Sequence, residues 1–101
     1  MKKGYLFCLT HALPSACLVD ENGVIVQSHG GSDADDAISW FNHFNKGKGY
    51  DVEVIDQKLF ERVLYKKEST DILREKHPEF ADIFDKLIKA RNESKRHTYK
   101  T

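Results

Sequence analysis

The chain has 101 residues, of which 16 are Lys or Arg and 16 are Asp or Glu, so its formal charge is zero. A neutral chain of this length predicts one domain and argues against a general polyanion binder, because nonspecific nucleic-acid affinity comes from many neutralised phosphates. Apolar residues make up 40%, and no apolar run approaches the length of a membrane span. We predict a single domain over residues 1–92 and a flexible, basic C-terminal tail over 93–101.

Three strands are predicted in the first third of the chain. Tyr5–Leu9 is apolar at every position, which is typical of a central strand covered on both faces. A loop containing Pro14 follows. Ala16–Asp20 and Val24–Ser28 form the two arms of a β-hairpin, and Asn22-Gly23 supplies the turn because both residue types tolerate positive φ.

A helix is predicted over Asp33–Asn45, after the strand stop at Gly30-Gly31. Apolar residues recur there at helical spacing: Ala34, Ala37, Ile38, Phe41 and Phe44. Ser32 is the predicted N-cap, with Asp35 completing a capping-box-like exchange. Gly47 and Gly49 end the helix.

The second half of the chain is mostly helical. Tyr50–Ile55 alternates polar and apolar residues, which indicates a half-exposed edge strand. Helices are predicted from Asp56 through Lys67, over Thr70–Lys76, and from Pro78 at an N1 position. The predicted fold is α+β, a small, mostly antiparallel sheet in the order β-β-β-α-β-α-α with helices packed on one face.

The acidic junction after the glycine pair allows two interpretations. Asp33, Asp35 and Asp36 lie in the first helical turn, where the helix dipole favours negative charge. The same carboxylates could hold a divalent cation, although residues 33 and 36 share a helix face and residue 35 points elsewhere. We favour the electrostatic role and predict no metal site and no cofactor.

No complete catalytic motif is present. Cys8 and Cys17 lie in apolar strands and are predicted to be buried, reduced thiols, which agrees with a cytoplasmic location. His11 and His29 lie at strand ends, so a Cys-His pair is conceivable if those ends adjoin. Such a base needs a third group to orient it, so we favour a chain that is not an enzyme. The other hypothesis left open is a small hydrolase or nuclease relic that uses Glu61 or a Cys-His pair.

Binding is therefore the first functional hypothesis. Trp40 falls at the border of the buried helical stripe, and half-exposed Trp and Tyr are favoured interface anchors. Tyr50 begins the predicted edge strand, which also carries Asp51 and Glu53. We predict that these four residues bind another protein, as accessory or phage-type regulators and inhibitors do. The same edge strand could pair with its copy in a homodimer.

Nucleic-acid association is the alternative hypothesis. Its candidate residues lie on the predicted second helix: Lys58, Arg62, Lys66 and Lys67. Acidic residues such as Glu61 and Glu68 interleave with them. That pattern is more typical of a solvated surface laced with salt bridges.

Two short segments resemble known families. Gly4–Thr10, followed by a loop and a second strand, resembles the opening of GIY-YIG nucleases, and Glu61 lies on a later helix where that family keeps a metal-binding Glu. The second strand offers Leu18–Gly23 in place of the family's Tyr-bearing element, and Asp33–Asn45 contains no Arg. The resemblance therefore implies a catalytically degenerate domain that does not cut DNA.

The second resemblance covers Ser28–Ile38 and the strand after it. It is similar to the β-β-β-α-β unit of HicB-type antitoxins, where a Gly/Ser/acid junction also opens the helix. This resemblance implies an antitoxin-like regulator associated with nucleic acid. Residues 57–93 contain no legible helix-turn-helix or ribbon signature.

Overall fold

The computed structural model describes the backbone of residues 1–10 and 13–99 and the side chains of residues 1–10 and 13–89. The elements are β1 (Lys2–Leu9), β2 (Ser15–Val19), β3 (Ile25–Gly30), α1 (Ala34–His43), β4 (Tyr50–Val54), α2 (Gln57–Leu64), α3 (Asp71–Lys76) and α4 (Pro78–Tyr99). Their order is the predicted one, and α3 is the short helix expected at Thr70–Lys76.

The four strands form one mixed sheet in the order β3-β2-β1-β4. β1 pairs antiparallel with β2, and β2 pairs antiparallel with β3. β4 returns parallel to β1 after the α1 crossover. The predicted α+β class with a mostly antiparallel sheet is confirmed, as is the edge position of β4. The sheet has a second edge, β3.

The central strand β1 sends side chains into two separate cores. Tyr5 and Phe7 belong to a core closed by α2, α3 and α4. Leu6 and Cys8 belong to a smaller core closed by α1 on the opposite face. The prediction that all helices pack on one face is therefore wrong. The apolar part of β1, Tyr5–Leu9, needs cover on both faces, and α1 provides the second layer.

The β2–β3 turn is organised by Asp20. Its backbone oxygen accepts a hydrogen bond from the Gly23 amide at 3.1 Å, and its carboxylate accepts from the amides of Asn22 and Val24. Gly23 has a φ of 79°, the left-handed value that glycine adopts freely. The predicted hairpin is confirmed, but of the two predicted turn residues only Gly23 has a positive φ, and Asn22 does not.

The N-cap of α1 is Asp33 and not the predicted Ser32. The Asp33 carboxylate accepts from the Asp36 amide at 2.8 Å, while the Asp36 carboxylate accepts from the amide and hydroxyl of Ser32. The cap is thus displaced by one residue, because Asp33 has the extended backbone that an N-cap needs. The return bond to Asp36 comes from Ser32, the residue before the N-cap. Two of the three acidic side chains are occupied in starting the helix.

α1 ends before Gly47 and Gly49, the two glycines that were predicted to end it. Phe44 is the C-cap, and Asn45 takes the left-handed conformation with a φ of 53°. The Asn45 amide donates to the Asn42 oxygen, and the Lys46 amide donates to the Phe41 oxygen. This Schellman arrangement satisfies the last carbonyls and leaves the Phe44 side chain exposed.

α2 ends at Leu64, three residues before the predicted end at Lys67. Lys67 has a φ of 59°, which a right-handed α-helix does not accommodate, and the Glu68 amide donates back to the Arg62 oxygen.

The side chains of residues 90–101 lie outside the described part of the chain, so the predicted flexible tail at 93–101 stays a prediction. Among the described residues, no helix is long and apolar enough to cross a membrane.

Candidate partner-binding surface

The four predicted partner-binding residues do not form one patch. Trp40 packs beside His29 of β3, with ring centroids 6.4 Å apart. Tyr50, Asp51 and Glu53 lie on β4 at the other edge of the sheet. Three strand spacings, about 14 Å, separate the two edges. Trp40 is 43% exposed, so its predicted position at the border of the buried stripe is confirmed.

The acidic side chains of β4 pair with other residues of the same chain. The Lys3 ammonium nitrogen lies 3.4 Å from a carboxylate oxygen of Glu53 and 3.7 Å from one of Asp51. Glu53 also accepts a hydrogen bond from the buried side chain of His77 at 2.6 Å. Tyr50 is half-buried and packs against the α1 core. A partner at this edge would meet a strand whose charges already have partners.

Four rings cluster at the opposite edge, and we call this cluster the aromatic patch. It consists of His29 of β3, Trp40 and His43 of α1, and Phe44, the C-cap of α1. Trp40 and Phe44 stack, with centroids 5.7 Å apart and ring planes 20° apart. His43 meets both of them edge-on, at 5.4 and 5.1 Å. His29 lies 5.2 Å from Phe44 and joins the helix to the strand. Phe44 is 55% exposed, more than Trp40.

Among the described residues, no strand pairs with the outer side of β3, the edge strand next to the aromatic patch. β3 carries no Asp, Glu, Lys or Arg. The Gly31 amide donates to the Pro14 oxygen, just before β2, and Gln27 and His29 have the same backbone orientation as Gly31, toward β2. Backbone orientation alternates along a strand, so the N–H and C=O groups of Ser28 and Gly30 point away from β2. Ile25 and Val26 are 39% and 37% exposed. The strand lacks the charges that commonly protect a sheet edge.

We call the open β3 edge and the aromatic patch together the β3–α1 surface. The sequence indicated Trp40 in it but missed His29, Phe44 and the β3 edge. Phe44 fits the apolar stripe predicted for α1. The helix ends one residue earlier, at His43, and nothing in the sequence shows this. The exposure of β3 depends on the strand order, because β3 would be internal if β4 had paired with it.

The residues of the nucleic-acid hypothesis are dispersed. Lys58 and Arg62 lie on α2, whereas Lys66 and Lys67 follow its end. Nε and one terminal nitrogen of the Arg62 guanidinium each donate to an oxygen of the Glu68 carboxylate at 2.8 Å. This pairing raises the pKa of Arg62 and lowers the pKa of Glu68, since each charge stabilises the other. The Arg62–Glu68 pair agrees with the solvated, salt-bridged surface that the sequence favoured for this segment.

The candidates for nucleophilic chemistry lie apart. Cys8 and Cys17 are buried on opposite faces of the sheet. The Cys8 thiol donates to the Ala34 oxygen, and burial raises its pKa to about 11. A thiol in that environment is a poor nucleophile. His29 belongs to the aromatic patch, and His11 lies outside the described residues.

Glu61 is enclosed by hydrogen-bond donors at the end of β1. One of its carboxylate oxygens accepts from the Thr10 hydroxyl and from the Gln57 side-chain amide, each at 3.1 Å. The Gln57 amide also bridges the backbone of Cys8, accepting from its N–H and donating to its oxygen. These bonds close the β1 edge beyond the end of β4. Glu61 thus supports the strand end here.

Within the described residues, no three His, Cys, Asp or Glu side chains lie close enough together to hold a metal ion. The pairing of Asp33 and Asp36 with the start of α1 supports the electrostatic interpretation of the acidic junction. Comparison of the chain with protein-family models, with curated proteins and with solved structures found no match in any of the three.

Proposed function

We propose that this protein is a small, non-enzymatic interaction module of the cytoplasm, which acts as an accessory regulator or inhibitor by binding another protein. The observation that supports this function is the β3–α1 surface, where an unpaired, uncharged strand edge borders four clustered rings. The two features favour the same kind of partner, because one supplies backbone hydrogen bonds and the other supplies side-chain anchors.

In the proposed complex the partner adds an extended segment alongside β3. The outward-pointing N–H and C=O groups of Ser28 and Gly30 pair with its backbone, which gives affinity without reading its sequence. An apolar or aromatic side chain of the partner packs on the stacked rings of Trp40 and Phe44, which gives selectivity. Aromatic anchors of this kind commonly dominate interface energetics.

The test compares two variants in affinity capture from extracts of the source cells. Trp40→Ala with Phe44→Ala removes the exposed rings, while Val54→Ala trims an equally exposed side chain (57% exposed) on β4 and serves as the control. A captured protein is then purified, and its dissociation constant is measured against all three forms. We expect at least tenfold weaker binding by the double variant and unchanged binding by the control.

Nuclear magnetic resonance provides the map of the contact. With the purified partner added, amide shifts should change in Ile25–Gly30 and in the last turn of α1 more than in Tyr50–Val54. A partner that binds the double variant as tightly as the unmodified chain, or that perturbs only β4, would overturn the proposal.

A further inference from the structure

We propose that, in the absence of a partner, a second copy of this chain occupies the β3–α1 surface. The two copies pair antiparallel through β3 about a two-fold axis and form one eight-stranded sheet. This inference rests on the proposed function, because it names an occupant of the same surface. The outer edge of β3 can pair with only one strand at a time, so pairing with a second copy and binding of a partner exclude each other.

The β3 sequence suits pairing with itself. If the axis passes between the two Ser28 residues, their outward backbone groups form a hydrogen-bonded pair. Gln27 then lies opposite His29 of the second copy, and Val26 lies opposite Gly30. No two like charges face each other, and the Ser28 hydroxyls lie within reach of one another.

The other edge of the sheet is less suited to self-pairing. An antiparallel β4 pair centred on Val52 would place Asp51 of each copy opposite Glu53 of the other. Like charges in directly opposite positions destabilise a strand pair. Lys3 of each copy offsets part of this repulsion, whereas a β3 pair places no charges opposite each other. Charge therefore favours β3 over β4 for the interface between copies.

The aromatic patch lies where such a dimer would cover it. A two-fold axis of an antiparallel pair is perpendicular to the sheet, so both α1 helices lie on the same face. α1 packs mainly over β2 and β3 and less over β1, which places its axis about 5–7 Å from the two-fold axis by strand spacing. The two α1 helices would then lie about 10–14 Å apart, somewhat more than the about 8–10 Å of directly packed helices. Trp40 and Phe44 would fill the space between them.

The mass of the purified chain is the first test. Light scattering during size exclusion at several hundred micromolar should give a mass approaching twice 11.6 kDa, and dilution should return it to the monomer value. Trp40→Ala with Phe44→Ala should weaken the dimer at least tenfold, whereas Val54→Ala should leave its dissociation constant unchanged. A constant monomer mass at every concentration would overturn the inference.

Cysteine crosslinking tests the register. Opposed residues in a hydrogen-bonded antiparallel pair have Cα atoms about 5.5 Å apart, within the range that a disulfide spans. Ser28→Cys should therefore form a disulfide-linked dimer under mild oxidation, while Val54→Cys should not. Cys8 and Cys17 are buried and leave the background low. Equal crosslinking of both variants would contradict the β3 interface.

Hydrogen exchange on the unmodified chain needs no substitution. The Ser28 and Gly30 amides should be protected at high concentration and lose protection on dilution. Concentration-independent exchange would contradict the dimer.

The dimer and the proposed function can fail independently of each other. If the chain stays monomeric but its partner binding still requires Trp40 and Phe44, only the dimer is overturned. A dimer through β3 whose captured partners ignore those residues overturns the proposed function alone.

Discussion

His77 and Glu53 form a closely bonded pair between the α3–α4 junction and β4, with Nδ1 of the imidazole 2.6 Å from Oε2 of the carboxylate. The other ring nitrogen accepts a hydrogen bond from the Asp56 amide at 3.1 Å. The proton of the neutral ring must therefore sit on Nδ1, where it is donated to Glu53. This one buried side chain connects the helical layer to the β4 edge and to the start of α2.

Replacing His77 by Ala should destabilise the fold by about 2 kcal/mol, since it leaves the Asp56 amide and the Glu53 carboxylate without their bonds. Glu53→Gln should cost about half as much, because an amide oxygen can still accept the Nδ1 proton but without the charge. Urea unfolding checks both. Lys58→Ala at an exposed position is the control and should change the free energy of unfolding by less than about 0.5 kcal/mol. A His77→Ala protein as stable as this control would contradict the assigned role.

The same pair shows where sequence reasoning reaches its limit. Composition and periodicity predicted the fold class, the order of elements and the edge position of β4, because those depend on local patterns. Glu53 was assigned to a partner surface because an alternating strand exposes its polar residues. Its engagement by His77, 24 positions away, depends on how the helical layer folds back. No local pattern carries that information.

The aromatic patch illustrates the same limit at the candidate site. Trp40 was identified from its position on the helical stripe, but its neighbours His29 and Phe44 come from a strand and a helix end. They meet because β3 lies at a sheet edge and because Asn45 ends α1 one residue after Phe44. Strand order and helix termination are set by tertiary packing, which the apolar periodicity does not determine.

The glycine pair before α1 should respond unequally to substitution. A Cβ at Gly31 would lie 2.4 Å from the Ala37 amide nitrogen and 2.6 Å from its Cα, so the backbone of α1 would have to move. The nearest atom to a Cβ at Gly30 is the Pro14 oxygen at 3.7 Å, an ordinary contact. We expect Gly31→Ala to cost about 2–3 kcal/mol, typical of overpacking, and Gly30→Ala to cost under about 1 kcal/mol. Chemical denaturation of the two variants measures the difference, and equal costs would show that β3 does not approach α1 this closely.

Asp56 should make stability depend on pH. The Lys76 ammonium 2.9 Å away and the amides of Lys58 and Leu59 lower the pKa of its carboxyl. A group with a depressed folded-state pKa contributes its stability above the unfolded value, about 3.9 for Asp, and loses it as the pH falls through the folded value. Asp56→Asn keeps the capping oxygen but loses the charge, so it should be less stable by about 0.5–1 kcal/mol at pH 7.

That difference between the unmodified chain and Asp56→Asn should shrink below pH 4 and vanish at lower pH, as the carboxyl becomes protonated in both folded and unfolded chains. Other carboxyl groups titrate in both proteins and cancel in the comparison. Urea titrations at pH 7, 5, 3 and 2 provide the measurement. A difference that stays constant across this range would rule out the charged cap as its cause.

The thiols should distinguish an interaction module from a cysteine hydrolase. Burial raises the pKa of Cys8 to about 11, so at pH 8 only about one molecule in a thousand carries the thiolate at that position. The folded protein should therefore leave an aromatic disulfide reagent at pH 8 nearly unreacted, and both cysteines should react once urea exposes them. Rapid labelling of one thiol at neutral pH in the folded chain, abolished by His29→Ala, would instead identify an activated Cys-His pair.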